Sequence, residues 1–199
     1  MKALPLLLLV AACAAPGIAC LDRMKDAADR GDWAALAATE LPACTGPADA
    51  ACAEAQALRA RGCREQAGRV PAPQRRALLD CAVTSGEAAL AAAGESPPAR
   101  RAEWQQALAW SYFARRQEQP RGPALCADNE ALARHAGDAP GFLAASARFN
   151  AAAEDCAPRA SHCARLAEAA RLLTPRPPGP EAASLAAAIS LESRSRACP

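Results

Sequence analysis

Residues that favour strands are almost missing from this chain. After residue 20 the only valines and isoleucines are Val70, Val83 and Ile189, too scattered for the period-two alternation of a half-buried strand, so no sheet is expected. Aromatic side chains make up only 4% of the residues, and the apolar area available to a core is correspondingly small. Lysine is nearly absent: beyond Lys2 only Lys25 remains, and arginine supplies the other positive charges. With a net charge of +2 and arginines alternating with acids along each segment, there is no one-signed face to hold a nucleic acid. No Cys-x-x-Cys occurs, which removes a thioredoxin-type centre and covalent haem, and no glycine-rich loop precedes a helix to cradle phosphate. No apolar run approaches the ~18 to 20 residues of a membrane span.

What is present is alanine, nearly three residues in ten, the best helix former. The 17 prolines mark the joints, because proline is poorly tolerated inside a helix. They divide the chain after an N-terminal segment into expected helices at about 47–63, 73–94, 97–118, 122–136, 141–156, 159–174 and 180–195. Thr45-Gly46-Pro47 and Ser96-Pro97 read as helix starts, each a capping residue beside a proline suited to the first turn. Leu79, Val83 and Leu90 form one helical stripe. Phe142, Phe149 and Cys156 form another, and Leu166, Ala169, Ala170 and Leu173 a third. The helix holding residues 103–114 is apolar on two sides: Trp104, Leu108 and Tyr112 make one stripe, Trp110 and Phe113 the other. That pattern suits a central core helix; the alternative is an aromatic groove lined by Trp104, Trp110, Tyr112 and Phe113.

The first twenty residues have the parts of a secretory signal: a basic start at Lys2, an apolar run Leu4–Val10 and small residues before a cut. Val10-Ala11-Ala12-Cys13 resembles the lipobox of bacterial lipoproteins, in which the cysteine receives lipid and becomes the mature N-terminus. Gly17-Ile18-Ala19-Cys20 is the alternative, with a better signal length and a poorer motif. The resemblance implies a signal peptide over residues 1–19, cut before Cys13 or Cys20, and an N-terminal lipid anchor. It places the chain in the bacterial cell envelope, facing the periplasm or the exterior. A single all-α domain is expected over residues 21–199. Exported cysteines favour disulfides, and a thin alanine core needs them, at typically ~2 to 4 kcal/mol each. If Cys20 carries the lipid, the eight cysteines from Cys44 to Cys198 can all pair.

Cys156 and Cys163 lie where two expected helices meet, and a bridge across that turn is geometrically reasonable. Ala27-Ala28-Asp29-Arg30-Gly31-Asp32-Trp33-Ala34-Ala35-Leu36 resembles the turn between the two helices of a tetratricopeptide repeat. Ala43-Cys44 and Ala51-Cys52, around a Gly-Pro turn, resemble cysteine-rich Sel1-like repeats, in which such a pair bridges two helices. This resemblance implies Cys44–Cys52 and stacked antiparallel hairpins serving as a protein-binding scaffold. An irregular solenoid and a helical bundle both remain open. Cys63–Cys81 is a further expected bridge, and Cys126–Cys198 follows by elimination among 105 pairings.

Catalytic candidates are few. His162 stands beside Cys163 and near Cys156, three zinc-type ligands on paper, but no fourth is close in sequence and the compartment is oxidising. His135 near a helix end suits the helix dipole. Asp128 with Glu130 and Glu154 with Asp155 read as solvated helix positions. The expectation is a non-catalytic protein-binding or assembly module with no cofactor, no metal and no nucleic-acid partner, its protein partner unidentified. An enzyme would instead bring His135 or His162 to a carboxylate in a cleft, and a thiol-active protein would leave a cysteine unpaired.

Overall fold

The structure, a computed structural model of the chain, describes residues 18–174 and 179–198. The expected signal segment before Ile18, Cys13 within it, and the joint at Pro175 lie outside the described residues. Among those described the fold is all-α, with no strand and four disulfides. The expected single domain separates into two compact units that divide between Trp104 and Gln105.

In the first unit α1 (Ile18–Asp29) turns at Gly31 into α2 (Trp33–Ala38). Gly31 has φ +68°, a conformation that costs glycine little, and the Asp32 carboxylate accepts from the Ala35 N–H at 3.1 Å to cap α2. Next come α3 (Ala50–Ala67) and α4 (Ala72–Ala91), an antiparallel hairpin across a short turn, and the opening turns of α5 (Pro98–Gln117). The start of α3 differs from the Thr45-Gly46-Pro47 expectation. Asp49 is the cap: its carboxylate accepts from the Cys52 N–H at 3.1 Å and from the Thr45 hydroxyl at 3.0 Å. Thr45 therefore braces the cap from outside the helix.

Alanine and glycine set the packing here. Ala53 and Ala55 of α3 are fully buried, the first against Ala92, Ala93 and Trp104, the second beside Leu36, Met24 and Cys20. Gly62 faces α2 so closely that a Cβ there would run into Leu36 and stand 3.0 Å from the Ala37 nitrogen. Cys44–Cys52 ties the preceding loop to the first turn of α3, and Cys63–Cys81 ties α3 to α4.

The second unit holds the rest of α5, then α6 (Pro123–Ala136), α7 (Phe142–Ala153), α8 (His162–Leu172) and α9 (Pro180–Ser195). Each of α6, α8 and α9 packs on a neighbour in sequence, with α7 touching all three. Ala144, Ala145, Ala169, Leu172, Ala182, Leu185 and Ile189 form the core between α7, α8 and α9.

Two expected bridges are corrected here. The structure pairs Cys126 with Cys156 and Cys163 with Cys198, in place of Cys156–Cys163 and Cys126–Cys198. The reason is where the helices end. α7 stops at Ala153, and Asp155 takes a left-handed turn at φ +55°, so Cys156 is past the helix and off the stripe it was assigned to. In an antiparallel hairpin the start of one helix lies beside the end of the next. Cys126 in the first turn of α6 thus meets Cys156 beyond α7, and Cys163 in the first turn of α8 meets Cys198 beyond α9. Both bridges clamp the end of a hairpin opposite the connection between its two helices.

Candidate functional site

The four aromatic residues of α5 separate. Trp104 is buried in the first unit against Ala53, Ala92 and Ala93, with Arg100 over its ring. In the second unit Tyr112 is buried and stacked on His135, ring centroids 5.6 Å apart. Trp110 is one of two large apolar side chains left exposed among the described residues, Leu191 being the other. Phe113 is half-buried and contacts Trp110 and Phe142 edge-on, at 5.7 and 5.4 Å, while Trp110 stacks on Phe142 at 5.7 Å. Of the four residues considered for an aromatic groove only Phe113 lines a cleft; Trp104 and Tyr112 are buried, and Trp110 is exposed beside Phe113 and Phe142.

The groove lies wholly in the second unit. α5 supplies Phe113 and Arg116, and α7 supplies Phe142, Ser146, Phe149 and Asn150, spaced so that they share one face. The N-terminal half of α9 closes it with Pro180, Glu181, Ser184, Leu185 and Ala188, around a volume of about 420 Å³. That is within the ~300 to 1,000 Å³ of small-molecule clefts. Its walls are aromatic and aliphatic, yet Ser146 and Asn150 are 2% and 6% exposed, and neither the Ser146 hydroxyl nor the Asn150 amide nitrogen has a hydrogen-bond partner among the described residues. Each such orphan costs about 1 to 3 kcal/mol.

Arg116 is positioned from behind. Its Nε donates to Asn129 Oδ1 at 2.8 Å and its Nη2 to Glu154, while the Asn129 amide donates to the other Glu154 oxygen at 2.7 Å. Burial pulls the Arg116 guanidinium below the usual arginine range, and Glu154 opposes that shift. Arg115 alongside donates from Nε to Asp128 at 3.1 Å, and Gln119 donates to the same carboxylate at 2.7 Å. Asp128 is 2% exposed, and Glu154 is enclosed with Arg116. The expectation that both are solvated helix positions is corrected: each acid has an arginine from α5 opposite it, which periodicity along a single helix does not reveal.

A second cleft of about 350 Å³ is lined by Asp155, Arg159, His162, Cys163 and Arg196. His162 is buried and stands 3.8 Å from the Asp155 carboxylate, the juxtaposition expected of an enzyme. Its nitrogens are already committed. Arg196, which can only donate, takes Nδ1, so Nε2 carries the hydrogen and donates to the Ala157 carbonyl at 2.7 Å. Arg196 is itself held by Glu192, Asp155 and the Ala152 carbonyl. Cys163, the cysteine beside His162, is bridged to Cys198. Among the described residues no three histidine, cysteine or acidic side chains gather as metal ligands, and no cysteine is free. Cys20, the alternative lipid site, is buried with Met24, Ala27, Leu36 and Ala55.

No family model, no curated protein and no solved structure matches this chain. Nothing outside the chain's own geometry assigns either cleft a role.

Proposed function

We propose that this chain is an exported, lipid-anchored binding protein of the bacterial cell envelope, non-catalytic, that holds a small ligand in the α5–α7–α9 groove. The observation that carries the reading is the groove itself, about 420 Å³ walled by Phe113, Phe142, Phe149 and Leu185 from three helices. Support for export comes from Lys2, the apolar run Leu4–Val10 and the lipobox-like Val10-Ala11-Ala12-Cys13, together with the four disulfides, which persist in oxidising compartments. A protein partner, the expectation from the repeat-like segments, is the second reading. The groove favours the first: a stable interface takes ~800 Å² from each partner, and Trp110 and Leu191 are the only large apolar side chains exposed among the described residues.

Two measurements test this. The oxidised full chain should bind the amphipathic aromatic anion 1-anilinonaphthalene-8-sulfonate at one saturable site, and Ser184→Trp, which fills the groove from an exposed position, should remove that binding. Absence of a saturable site sinks the ligand-binding reading. Intact mass of the chain recovered from cell membranes should show a lipid-modified N-terminal cysteine, with Cys13 the expected residue. An unprocessed cytosolic chain with reduced cysteines would sink export.

A further inference from the structure

We infer that Cys163–Cys198 is an exchange site for a dithiol, which approaches through the cleft of about 350 Å³ lined by Asp155, Arg159, His162, Cys163 and Arg196. The inference does not depend on the ligand groove. Access separates this bridge from those of the first unit, where Cys52 and Cys63 are 1% and 0% exposed. Cys163 and Cys198 are both half-buried, and Cys163 belongs to the cleft wall.

The surroundings favour a thiolate at Cys163. It lies in the first turn of α8, an 11-residue helix, where the positive end of the helix dipole stabilises an anion. Ser161, just before α8, gives its hydroxyl to the Pro158 carbonyl at 2.8 Å and makes no side-chain cap, so its oxygen does not compete for that end. Arg196 in the cleft is offset by Glu192 and Asp155. Arg159 is exposed and has no acidic partner among the described residues, which leaves the cleft a surplus of positive charge beside the bridge. At the far end of the bridge Ala197 is held at φ +52°, a left-handed conformation that a residue with a Cβ resists, so opening the bridge lets a strained turn relax.

In the exchange, one thiolate of the dithiol attacks Cys163 Sγ from the cleft, the Sγ–Sγ bond breaks, and Cys198 leaves as a thiolate that takes a proton from water. The second thiol of the dithiol, on losing its proton, attacks the first sulfur of the same molecule. The mixed disulfide breaks and Cys163 leaves as the stabilised thiolate. Two electrons pass from the dithiol, which becomes a disulfide, to the bridge, which becomes two thiols. Arg159 draws the incoming anion to the cleft, and a stable Cys163 thiolate hastens the second step, because a thiol of lower pKa leaves faster.

Reduction of the oxidised full chain by dithiothreitol, quenched with N-ethylmaleimide and read by peptide mass mapping, tests this. Cys163 and Cys198 should be alkylated roughly tenfold faster than Cys126 and Cys156. Arg159→Glu, a substitution at an exposed position, should slow the opening of this bridge by about threefold or more and leave the rate of Cys126–Cys156 unchanged. In Cys198→Ser, which leaves Cys163 as a thiol, the rate of reaction with iodoacetamide should rise with pH at a midpoint below the ordinary cysteine value of ~8.5, and adding Arg159→Glu should raise that midpoint. If Cys198→Ser fails to fold, the two reduction rates decide. A Cys163–Cys198 bridge that opens no faster than Cys126–Cys156 overturns the inference. So does fast opening that ignores Arg159→Glu, which would report fraying of α9 alone, and so does an ordinary midpoint at Cys163.

Discussion

At the scale of single residues the fold depends on groups whose neighbours are remote in sequence. Gly62 lets α3 approach α2 at Leu36 and Ala37, so Gly62→Ala should destabilise the first unit by about 1 to 3 kcal/mol through overpacking, measured by urea denaturation of the oxidised chain. An unchanged midpoint would mean that the approach of the two helices is slack. Asp49 has its carboxyl held below the ordinary range, first by the Cys52 N–H and then by the Thr45 hydroxyl. Its stabilising effect is therefore complete above the unfolded value of ~3.9 and is lost as pH falls through the lower folded value. Wild type should lose more melting temperature between pH 5 and pH 3 than Asp49→Asn, which retains a capping side chain without the charge; equal losses would refute this. In the sequence the start reads as Thr45-Gly46-Pro47 and Asp49 is missed as the cap, because Thr45 also carries a capping side chain and only the folded turn brings it onto the Asp49 carboxylate. Asp128 and Glu154 were misjudged for a different reason. Their arginine partners sit on another helix, and a buried ion pair has no local sequence mark.

At the scale of elements, alanine density and proline spacing make the helices legible, because propensity and breakers act locally. The expected segment at 97–118 became Pro98–Gln117 and that at 180–195 became Pro180–Ser195. The disulfides were legible only where the pair brackets a single helix start or turn, as in Cys44–Cys52 and Cys63–Cys81. Cys126–Cys156 and Cys163–Cys198 close hairpins of which both helices must be placed first. Their benefit differs accordingly. The chain-entropy relation gives ~3.6 kcal/mol for the 30-residue separation of Cys126–Cys156, and ~2.5 kcal/mol for the 8-residue separation of Cys44–Cys52. Replacing both cysteines of a pair by serine should therefore cost more at 126 and 156 than at 44 and 52 in denaturant titration. Non-reducing peptide mapping should recover Cys126 linked to Cys156; a Cys156–Cys163 peptide would contradict the hairpin clamp.

At the scale of the whole molecule, among the described residues each compact unit closes two bridges within itself, Cys44–Cys52 and Cys63–Cys81 in the first and Cys126–Cys156 and Cys163–Cys198 in the second. At ~2 to 4 kcal/mol per bridge, two of them are comparable to the ~5 to 15 kcal/mol that stabilises an ordinary domain, and alanine-rich cores have little apolar area to substitute. Complete reduction should abolish the cooperative loss of helical circular dichroism on heating, and a reduced chain that still melts cooperatively would show the cores to be self-sufficient. By itself the sequence determined the all-α class and the approximate helix limits, since these follow from propensity and proline geometry, and the scarcity of large apolar side chains gave the reason to expect disulfides. The division at Trp104, the long-range bridges and the groove were decided only in three dimensions. Phe113 and Arg116, Ser146 and Asn150, and Leu185 come from three helices, and whether a serine or an asparagine on a helix face meets water, a partner or neither depends on what the other two helices place in front of it.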